Sequence, residues 1–202
     1  MVIYIRQEDP QPRQIQTVSE VVQSGGVIIY PTDTLYGLGC DIFQLQAIEK
    51  ICEIKNMEPS KAHLSFVCNN LSDVREYTRP ISNQLFRLLK EYLPGPYTFI
   101  LPASKQVPKI LKNKKNTIGV RIPNNNIARA IVKEMKRPIL STTLPGETNE
   151  EYEDPEMIYR NFEDVVDLVV DGGPGGLIPS TVIDCTGPEP VIVRQGLGEW
   201  IN

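Results

Sequence analysis

The chain has 202 residues, of which 41% are hydrophobic and 23% are charged, and its formal net charge is −4. This length suits a single domain that takes in residues 1–202. No apolar run approaches the roughly 18 residues that span a bilayer, and the first residues lack the basic and apolar regions of a signal peptide. These features argue against a membrane protein, and we expect a cytoplasmic location.

The cysteines and the histidine exclude several kinds of chemistry. Cys40, Cys52, Cys68 and Cys185 form no CxxC pair, and His63 is the single histidine. A structural zinc site needs closely spaced Cys/His pairs. The sequence therefore predicts no protein-bound metal and four reduced thiols that pack as small hydrophobic side chains. A mechanism with histidine as general base would depend on His63, which lies in the apolar stretch KAHLSFV, and it is disfavoured.

Apolar spacing predicts alternating elements in the first half of the chain. They are a strand over 2–5, a helix through Ile15 and Val22 that stops at Gly25-Gly26, a strand over 27–30, a helix over 44–55, a strand over 64–67, a helix over 81–92 that ends at Pro94-Gly95-Pro96, and a strand over 97–101.

The second half continues this pattern. Residues 117–122 alternate, so Arg121 lies on the same face as Thr117. The later elements are a helix capped within 124–126, a short strand over 139–140, a helix opened by Asp154-Pro155, and strands over 164–170, 181–185 and 191–194. Strands and helices mix without a strict βαβ order, which predicts one α/β domain with a mixed sheet.

Charge is distributed unevenly along the chain. Residues 103–137 contain ten basic residues and one acidic residue, whereas residues 147–202 contain thirteen acidic and two basic residues. One interpretation is that the basic region faces an anion. The other is a solvated basic loop and helix face balanced by an acidic tail, and the sequence favours neither.

The stretch VIIYPTDTLYGLGCD, residues 27–41, runs from a predicted strand into hydroxyls and a carboxylate. Ligands of open α/β sheets bind at strand ends. Thr32 and Thr34 could offer hydrogen-bond donors and acceptors to a small zwitterion, and Asp33 could meet an ammonium group or orient a base. Gly37 and Gly39 would let the backbone approach the ligand closely. The alternative is a turn that Asp33 caps locally, and composition alone favours that alternative.

Two later segments also combine strands with hydroxyls. Ser141 lies in ILSTTLPG and Ser180 in IPSTVIDC. Arg121 could hold a carboxylate or phosphate with its planar guanidinium, or it could form a surface ion pair with the acidic C-terminal segment. The GGPGG run at 172–176 lacks the pattern of a phosphate-binding Walker loop, so it is interpreted as a flexible turn.

Seven motifs occur in an order that points to a family. They are YPTDTLYGLGCD (30–41), ICEIKNMEPSK (51–61), PGPYTFIL (94–101), TIGVRIP (117–123), LSTTLPG (140–146), STVIDC (180–185) and VIVRQGLG (191–198). With them the chain resembles the YrdC/YciO family of threonylcarbamoyl-adenylate synthases over most of its length, and it is most similar to the YciO branch.

The resemblance implies a fold and a reaction. The fold is a twisted mixed sheet with flanking helices and a concave basic surface, of the YrdC/RibB-like type. In the reaction, L-threonine and bicarbonate give N-carboxythreonine, which attacks the α-phosphate of the substrate ATP and releases pyrophosphate. The adenylate then supplies threonylcarbamate to an adenosine of tRNA. This chemistry needs proximity and charge neutralisation, with Mg²⁺, and no catalytic side chain.

The resemblance also implies binding residues. It assigns Thr32, Arg121 and Ser180 to threonine, and Lys55, Thr117, Ser141, Thr143 and Arg194 to the nucleotide. An RNA partner, either tRNA or double-stranded RNA, would contact the basic stretch through Lys105, Lys109, Lys112, Lys114 and Lys115.

Two departures from the family pattern bear on activity. The synthases carry Lys-x-Arg where this chain has Lys55-Asn56-Met57, and Ser-x-Asn where it has Ser141-Thr142-Thr143. A lost charged hydrogen bond to phosphate costs about 1.5–3 kcal/mol. Three hypotheses follow: a weakened adenylating nucleotidyltransferase, a non-catalytic RNA-binding module, and an inert relative that binds a nucleotide for regulation.

Overall fold

The computed structural model describes residues 1–58, 64–111, 113–145 and 152–201. Within these residues the strands are β1 (Val2–Tyr4), β2 (Ile28–Tyr30), β3 (Gly37–Asp41), β4 (Ser65–Val67), β5 (Tyr97–Pro102), β6 (Thr117–Arg121), β7 (Ile139–Thr143), β8 (Leu168–Asp171), β9 (Thr181–Asp184) and β10 (Val191–Arg194). The helices are α1 (Pro12–Gln23), α2 (Leu45–Ile54), α3 (Leu71–Tyr77), α4 (Asn83–Tyr92), α5 (Asn126–Met135) and α6 (Pro155–Phe162).

All ten strands form one mixed sheet, in the order β1-β8-β2-β3-β7-β4-β6-β5-β9-β10. Four neighbouring pairs are parallel: β1 with β8, β8 with β2, β4 with β6, and β5 with β9. The other five pairs are antiparallel. The predicted α/β class with a mixed sheet is therefore confirmed.

Two hydrophobic cores lie on opposite faces of the sheet, because successive strand side chains point to opposite sides. The larger core joins Leu38, Phe66 and Val120 to helices α2, α3, α4 and α6. The smaller core joins Ile28, Tyr30 and other strand residues to α1 and α5, which pack on each other. These two helices reach only part of their face of the sheet, and the candidate site lies beside them.

Caps fix where several helices begin. Asn125 accepts a hydrogen bond from the backbone N–H of Ala128 and starts α5, and Asp154 accepts one from Glu156 and starts α6 with Pro155 at its first turn. A side-chain acceptor at this position satisfies an amide that the helix cannot. Both caps confirm the predictions for these two helices.

The structure differs from the sequence predictions in four elements. Strand β3 was not predicted, because its two glycines and preceding turn residues suggest a loop, yet it pairs with both β2 and β7. Helix α3 was also not predicted, although Asn70 caps it. Strand β7 extends beyond 139–140 to Thr143. The strand predicted over 164–170 begins only at Leu168, because the chain first turns back on α6 through the carbonyl of Phe162.

No helix in the described part of the chain is long and apolar enough to cross a membrane. All four cysteines are free and buried, as predicted. Burial raises the pKa of the Cys40 and Cys68 thiols, so both stay protonated and unreactive at neutral pH.

Candidate functional site

A cavity of about 490 Å³ lies on the sheet face that α1 and α5 leave open. Its floor comes from β3, β4, β5, β6, β7, β9 and β10, so residues far apart in the chain meet there. Such a volume is typical of small-molecule sites. Seven of the eight residues predicted to bind threonine or nucleotide line it: Lys55, Thr117, Arg121, Ser141, Thr143, Ser180 and Arg194.

The charged side chains among the described residues that line this cavity are all cationic. Lys55, Arg121 and Arg194 contribute three cationic groups, and none of its described lining residues is acidic. The remaining wall combines hydroxyls with apolar side chains such as Leu111 and Val182. This arrangement suits a ligand that is anionic at one end and has an apolar or aromatic part at the other.

The end of α2 places Lys55 and Met57 in the cavity. Asn56 adopts the left-handed conformation with φ of 50°, and the amide of Met57 donates to the carbonyl of Cys52. Asparagine tolerates this helix-ending geometry. The ammonium of Lys55 donates to the carbonyls of Thr143 and Leu144 at 2.9 and 3.3 Å. Desolvation lowers the pKa of Lys55.

Arg121 forms a nearly buried ion pair with Asp33 at the cavity wall. One guanidinium nitrogen, Nη2, donates to the Asp33 carboxylate and to the Thr34 hydroxyl, both at 2.9 Å. The side chains of Arg121 and Asp33 are 11% and 9% exposed. The suggested surface pair of Arg121 with the acidic C-terminal segment is therefore wrong. Asp33 also accepts from the amide of Asn124, so it holds two segments together. It is not among the residues that line the cavity, and its contact with a ligand ammonium stays a prediction.

Thr32 is the one predicted threonine-binding residue that does not line the cavity. Its hydroxyl donates to the carbonyl of Leu35 at 2.6 Å, accepts from the amide of Thr34, and lies 3.1 Å from the Thr34 hydroxyl. The Thr34 hydroxyl in turn accepts a hydrogen bond from Arg121, so two hydrogen bonds link Thr32 to the guanidinium. Its direct contact with a substrate stays a prediction, and these bonds would have to exchange for that contact to form.

Gly37 lines the cavity, so the close approach of its backbone to a ligand stays a prediction, whereas Gly39 packs against the Tyr30 ring. The Tyr30 ring lies across strand β3, so a Cβ at Gly39 would come within 2.8 Å of that ring and 2.9 Å of the Ile139 side chain. By crossing β3, the Tyr30 hydroxyl reaches Ser141 on β7 and donates to its Oγ at 2.8 Å. The glycines therefore make room for a buried tyrosine that supports a cavity residue.

Ser180 lies at the start of β9 and holds two cavity groups. The guanidinium of Arg194 donates to the Ser180 carbonyl at 2.9 Å and to its hydroxyl at 3.3 Å. The Thr98 hydroxyl is 2.9 Å from that of Ser180. Burial lowers the pKa of Arg194, and the positive charge of Arg121 lowers it further. The two guanidiniums thus repel each other across the site, and a bound anion would relieve that repulsion.

Four of the five predicted RNA-binding lysines belong to the described residues, and none of these four lines the cavity. Lys105, Lys109, Lys114 and Lys115 are exposed in the segment between β5 and β6, and Lys112 lies outside the described residues. The same segment brings Leu111 and Asn113 to the cavity. The basic stretch and the candidate site are therefore contiguous.

The GGPGG segment is held by specific contacts, which corrects its interpretation as a flexible turn. Tyr36, a cavity residue, donates to the carbonyl of Gly173 and accepts from the amide of Gly172. The amide of Gly176 donates to the carbonyl of Thr34 at 2.8 Å, and a Cβ there would lie 2.2 Å from that oxygen. The segment packs against the turn that presents Asp33 and Thr34 to Arg121.

A family model for the Sua5, YciO and YrdC proteins, described as telomere recombination, matches residues 20–196. The chain belongs to the Sua5/YciO/YrdC family. It is 44% identical to the YciO protein of Escherichia coli K12 over 199 residues, which is 97% of this chain and 95% of that protein. The crystal structure of E. coli YciO superposes with a TM-score of 0.91 at 43% identity and covers 98% of this chain and 97% of its own.

Members of the Sua5/YciO/YrdC family with a named activity are more distant. A threonylcarbamoyl-AMP synthase of Marinobacter nauticus is 31% identical over 177 residues, which is 87% of this chain and 93% of that protein. The crystal structure of Pyrococcus abyssi Sua5 complexed with L-threonine has a TM-score of 0.86 at 26% identity, covering 97% of this chain and 57% of that longer chain. The suspected family and its fold are thereby confirmed.

Both departures from the Sua5/YciO/YrdC synthase pattern lie in the cavity. Met57 and Thr143 are lining residues, so each replaces a potential hydrogen-bond donor at the site itself. Sequence reasoning missed Ser65, Thr98 and Asn113, which also line the cavity. Their signal in the sequence is weak, because single hydroxyl and amide residues are common near strands and turns.

Proposed function

We propose that this chain binds ATP and L-threonine in the cavity and acts as a slow threonylcarbamoyl-AMP synthase. Three cationic side chains around one cavity, with no acidic group among its described lining residues, are the observation that carries this proposal. The triphosphate would lie among these cations, and the apolar wall would take the adenine. The family relationship to named synthases supports the choice of reaction.

The chemistry follows from proximity and charge. In the proposed step, threonine and bicarbonate first form N-carboxythreonine with loss of water. A carbamate oxygen of N-carboxythreonine then attacks the α-phosphorus of ATP, and pyrophosphate leaves. Lys55 and Arg194 would stabilise the negative charge that develops on the phosphoryl oxygens. Arg121 and Ser180 would hold the threonine carboxylate, so both reactants would share one enclosure.

Mg²⁺ would enter with the nucleotide. No group of three or more His, Cys, Asp or Glu side chains that could hold a metal ion occurs in the described parts of the chain. The Asp33 carboxylate, which pairs with the lining residue Arg121, is also engaged by the amide of Asn124. We therefore treat the metal as part of the ATP substrate, where it would neutralise phosphate charge.

The decisive test measures pyrophosphate release that depends on both L-threonine and bicarbonate. The wild type should release pyrophosphate slowly, and Lys55→Met should abolish the release, because the variant keeps an apolar stem of similar length but loses the ammonium. Lys55 donates to the backbone carbonyls of Thr143 and Leu144 at the cavity surface, so the variant should fold normally.

A gain-of-function variant sharpens this test. The double variant Met57→Arg with Thr143→Asn restores the donors of the synthase pattern and should raise the rate by about tenfold or more, as a charged hydrogen bond to phosphate is worth that much. If ATP binds by calorimetry but neither protein releases pyrophosphate, the cavity is a nucleotide receptor and the proposed catalysis is wrong.

A second proposed function, RNA binding, rests on the basic stretch. Its lysines Lys105, Lys109, Lys114 and Lys115 are exposed next to the cavity, where an RNA that receives the product would have to dock. Filter binding of tRNA and of double-stranded RNA between low and moderate salt should show a steep loss of affinity, because phosphate contacts release counterions. Affinity that is independent of salt, or unchanged when these four lysines become glutamine, would contradict RNA binding here.

A further inference from the structure

The cavity hydroxyls are themselves hydrogen-bonded from behind, and the direction of these bonds determines where their protons point. Tyr30 is fully buried, and the one hydrogen bond of its hydroxyl to a described residue is the donation to Ser141 Oγ at 2.8 Å. Burial raises the pKa of Tyr30 to about 12, so the phenol keeps its proton at neutral pH. Ser141 must therefore accept from Tyr30, and its own proton is left for the cavity.

Asn113 orients the hydroxyl of Thr117 in the same way. Its side-chain oxygen accepts from the backbone amides of Lys115 and Thr117 at 3.0 and 3.1 Å. A backbone N–H can only donate, so the oxygen and nitrogen of this amide group cannot exchange places. The Asn113 nitrogen therefore donates to Thr117 Oγ1, at 2.9 Å, and the Thr117 proton is also free to point into the cavity.

The pair formed by Thr98 and Ser180 repeats this arrangement. Arg194, which can only donate, gives a hydrogen bond to the Ser180 hydroxyl. Whichever of the two hydroxyls donates to the other across 2.9 Å, one proton of the pair remains unused. Three separate places in the cavity wall thus present a hydroxyl proton, and each receives a donor from the protein on its other side.

We propose that Tyr30 and Asn113 are positioning residues that turn the hydroxyl protons of Ser141 and Thr117 toward the cavity, and so favour ligands rich in oxyanions. This inference rests on the proposed function, since the phosphates of ATP are the oxyanions in question. A hydroxyl without such a partner can instead turn its proton toward a protein acceptor and present only lone pairs to the ligand. With the donor behind it, the proton points away from that donor and toward the cavity, and the hydroxyl needs little reorganisation when phosphate binds.

The test is a double-mutant cycle on anion binding, measured by calorimetry with ATP, inorganic pyrophosphate and adenosine. Tyr30→Phe should weaken ATP and pyrophosphate by about two- to tenfold, the worth of one hydrogen bond, and leave adenosine unchanged. In a Ser141→Ala background the same substitution should have no effect, because the hydroxyl that Tyr30 orients is gone. Asn113→Ala, alone and with Thr117→Val, forms the second cycle, with the same expectation.

Tyr92→Phe is the matched control, since Tyr92 also donates its hydroxyl to one protein oxygen, the carbonyl of Ile201, and does not line the cavity. It should leave all three affinities unchanged. The positioning role would be overturned if Tyr30→Phe weakened the binding of ATP and of adenosine equally. It would also be overturned if Tyr30→Phe weakened ATP binding equally in the wild-type and Ser141→Ala backgrounds. If the wild type binds neither ATP nor pyrophosphate, both this inference and the proposed function fail. If it binds both and Tyr30→Phe binds equally well, only this inference fails.

Discussion

Two halves of one sheet face differ in what covers them. Under α1 and α5, the strands present Ile28, Ile139 and Leu168, which are completely buried. Farther along the same face, from β7 to β9, they present Ser141, Ser65, Gly119 and Thr98, which line the cavity. The register aligns Ser141, Ser65 and Gly119 directly across three neighbouring strands. One half of this face is thus built for packing, and the other keeps small and polar side chains where a ligand can enter.

Stability and binding therefore depend on different residues of the same sheet. In the covered half, each apolar side chain contributes by removing area from water. In the open half, the nearly buried Arg121–Asp33 pair joins β6 to the turn that follows β2. Four predictions test this division, and they follow in decreasing order of expected effect on the free energy of unfolding.

Arg121→Ala should cost about 3–5 kcal/mol, because it leaves the nearly buried Asp33 carboxylate without its cationic partner. Urea unfolding of the variant measures this cost. Adding Asp33→Asn should recover much of the loss, since the uncompensated charge disappears while a side-chain oxygen remains for the Asn124 amide. Equal stability of the single and double variants would show that the ion pair is not what the open half depends on.

Ile28→Ala should cost about 2–5 kcal/mol by leaving a cavity in the smaller core. Ile100→Ala is the matched variant in the open half, where this side chain lines the cavity and is only partly buried. It should lose about 1 kcal/mol or less, as water already reaches its surroundings. Similar losses for the two variants in denaturant titrations would erase the distinction between the halves.

Gly39→Ala tests the boundary between the halves and should cost about 1–3 kcal/mol through overpacking. Its new methyl group would meet the Tyr30 ring, the Ile139 side chain and the carbonyl of Leu140, all within 3.1 Å. Gly187→Ala is the control, since the nearest atom to its added Cβ is 3.9 Å away. Calorimetric melting of both variants measures the difference, and an unchanged melting temperature for Gly39→Ala would contradict the proposed crossing of Tyr30 over β3.

Ser65→Ala should have the smallest effect, about 0.5 kcal/mol, because it removes a single long hydrogen bond to the Ser141 carbonyl at the cavity surface. Unfolding in urea should be nearly superimposable on that of the wild type. A loss above about 2 kcal/mol, the cost of an unsatisfied buried group, would mean that the Ser141 carbonyl is sealed from water and that this part of the face is not open.

Local sequence patterns determined most helices and strands. Asn125 and Asp154 start α5 and α6 as their residue types predict, and the alternation of 117–122 places Arg121 and Thr117 in one cavity. Local sequence patterns failed for a strand whose formation depends on pairing with other strands. The glycines of β3 are typical of a loop, but this segment forms a strand because β2 and β7 pair with it on either side.

The sequence by itself determined the α/β class, the family and seven of the eight predicted cavity residues, because alternation, caps and ordered motifs are properties of short segments. The tertiary structure alone decided that Arg121 pairs with Asp33 and that Tyr30 reaches over β3 to a serine 111 positions away. Such contacts depend on strand order and register, which no local pattern encodes. The same long-range pairing also decided which half of the sheet face the helices cover and which half stays open to a ligand.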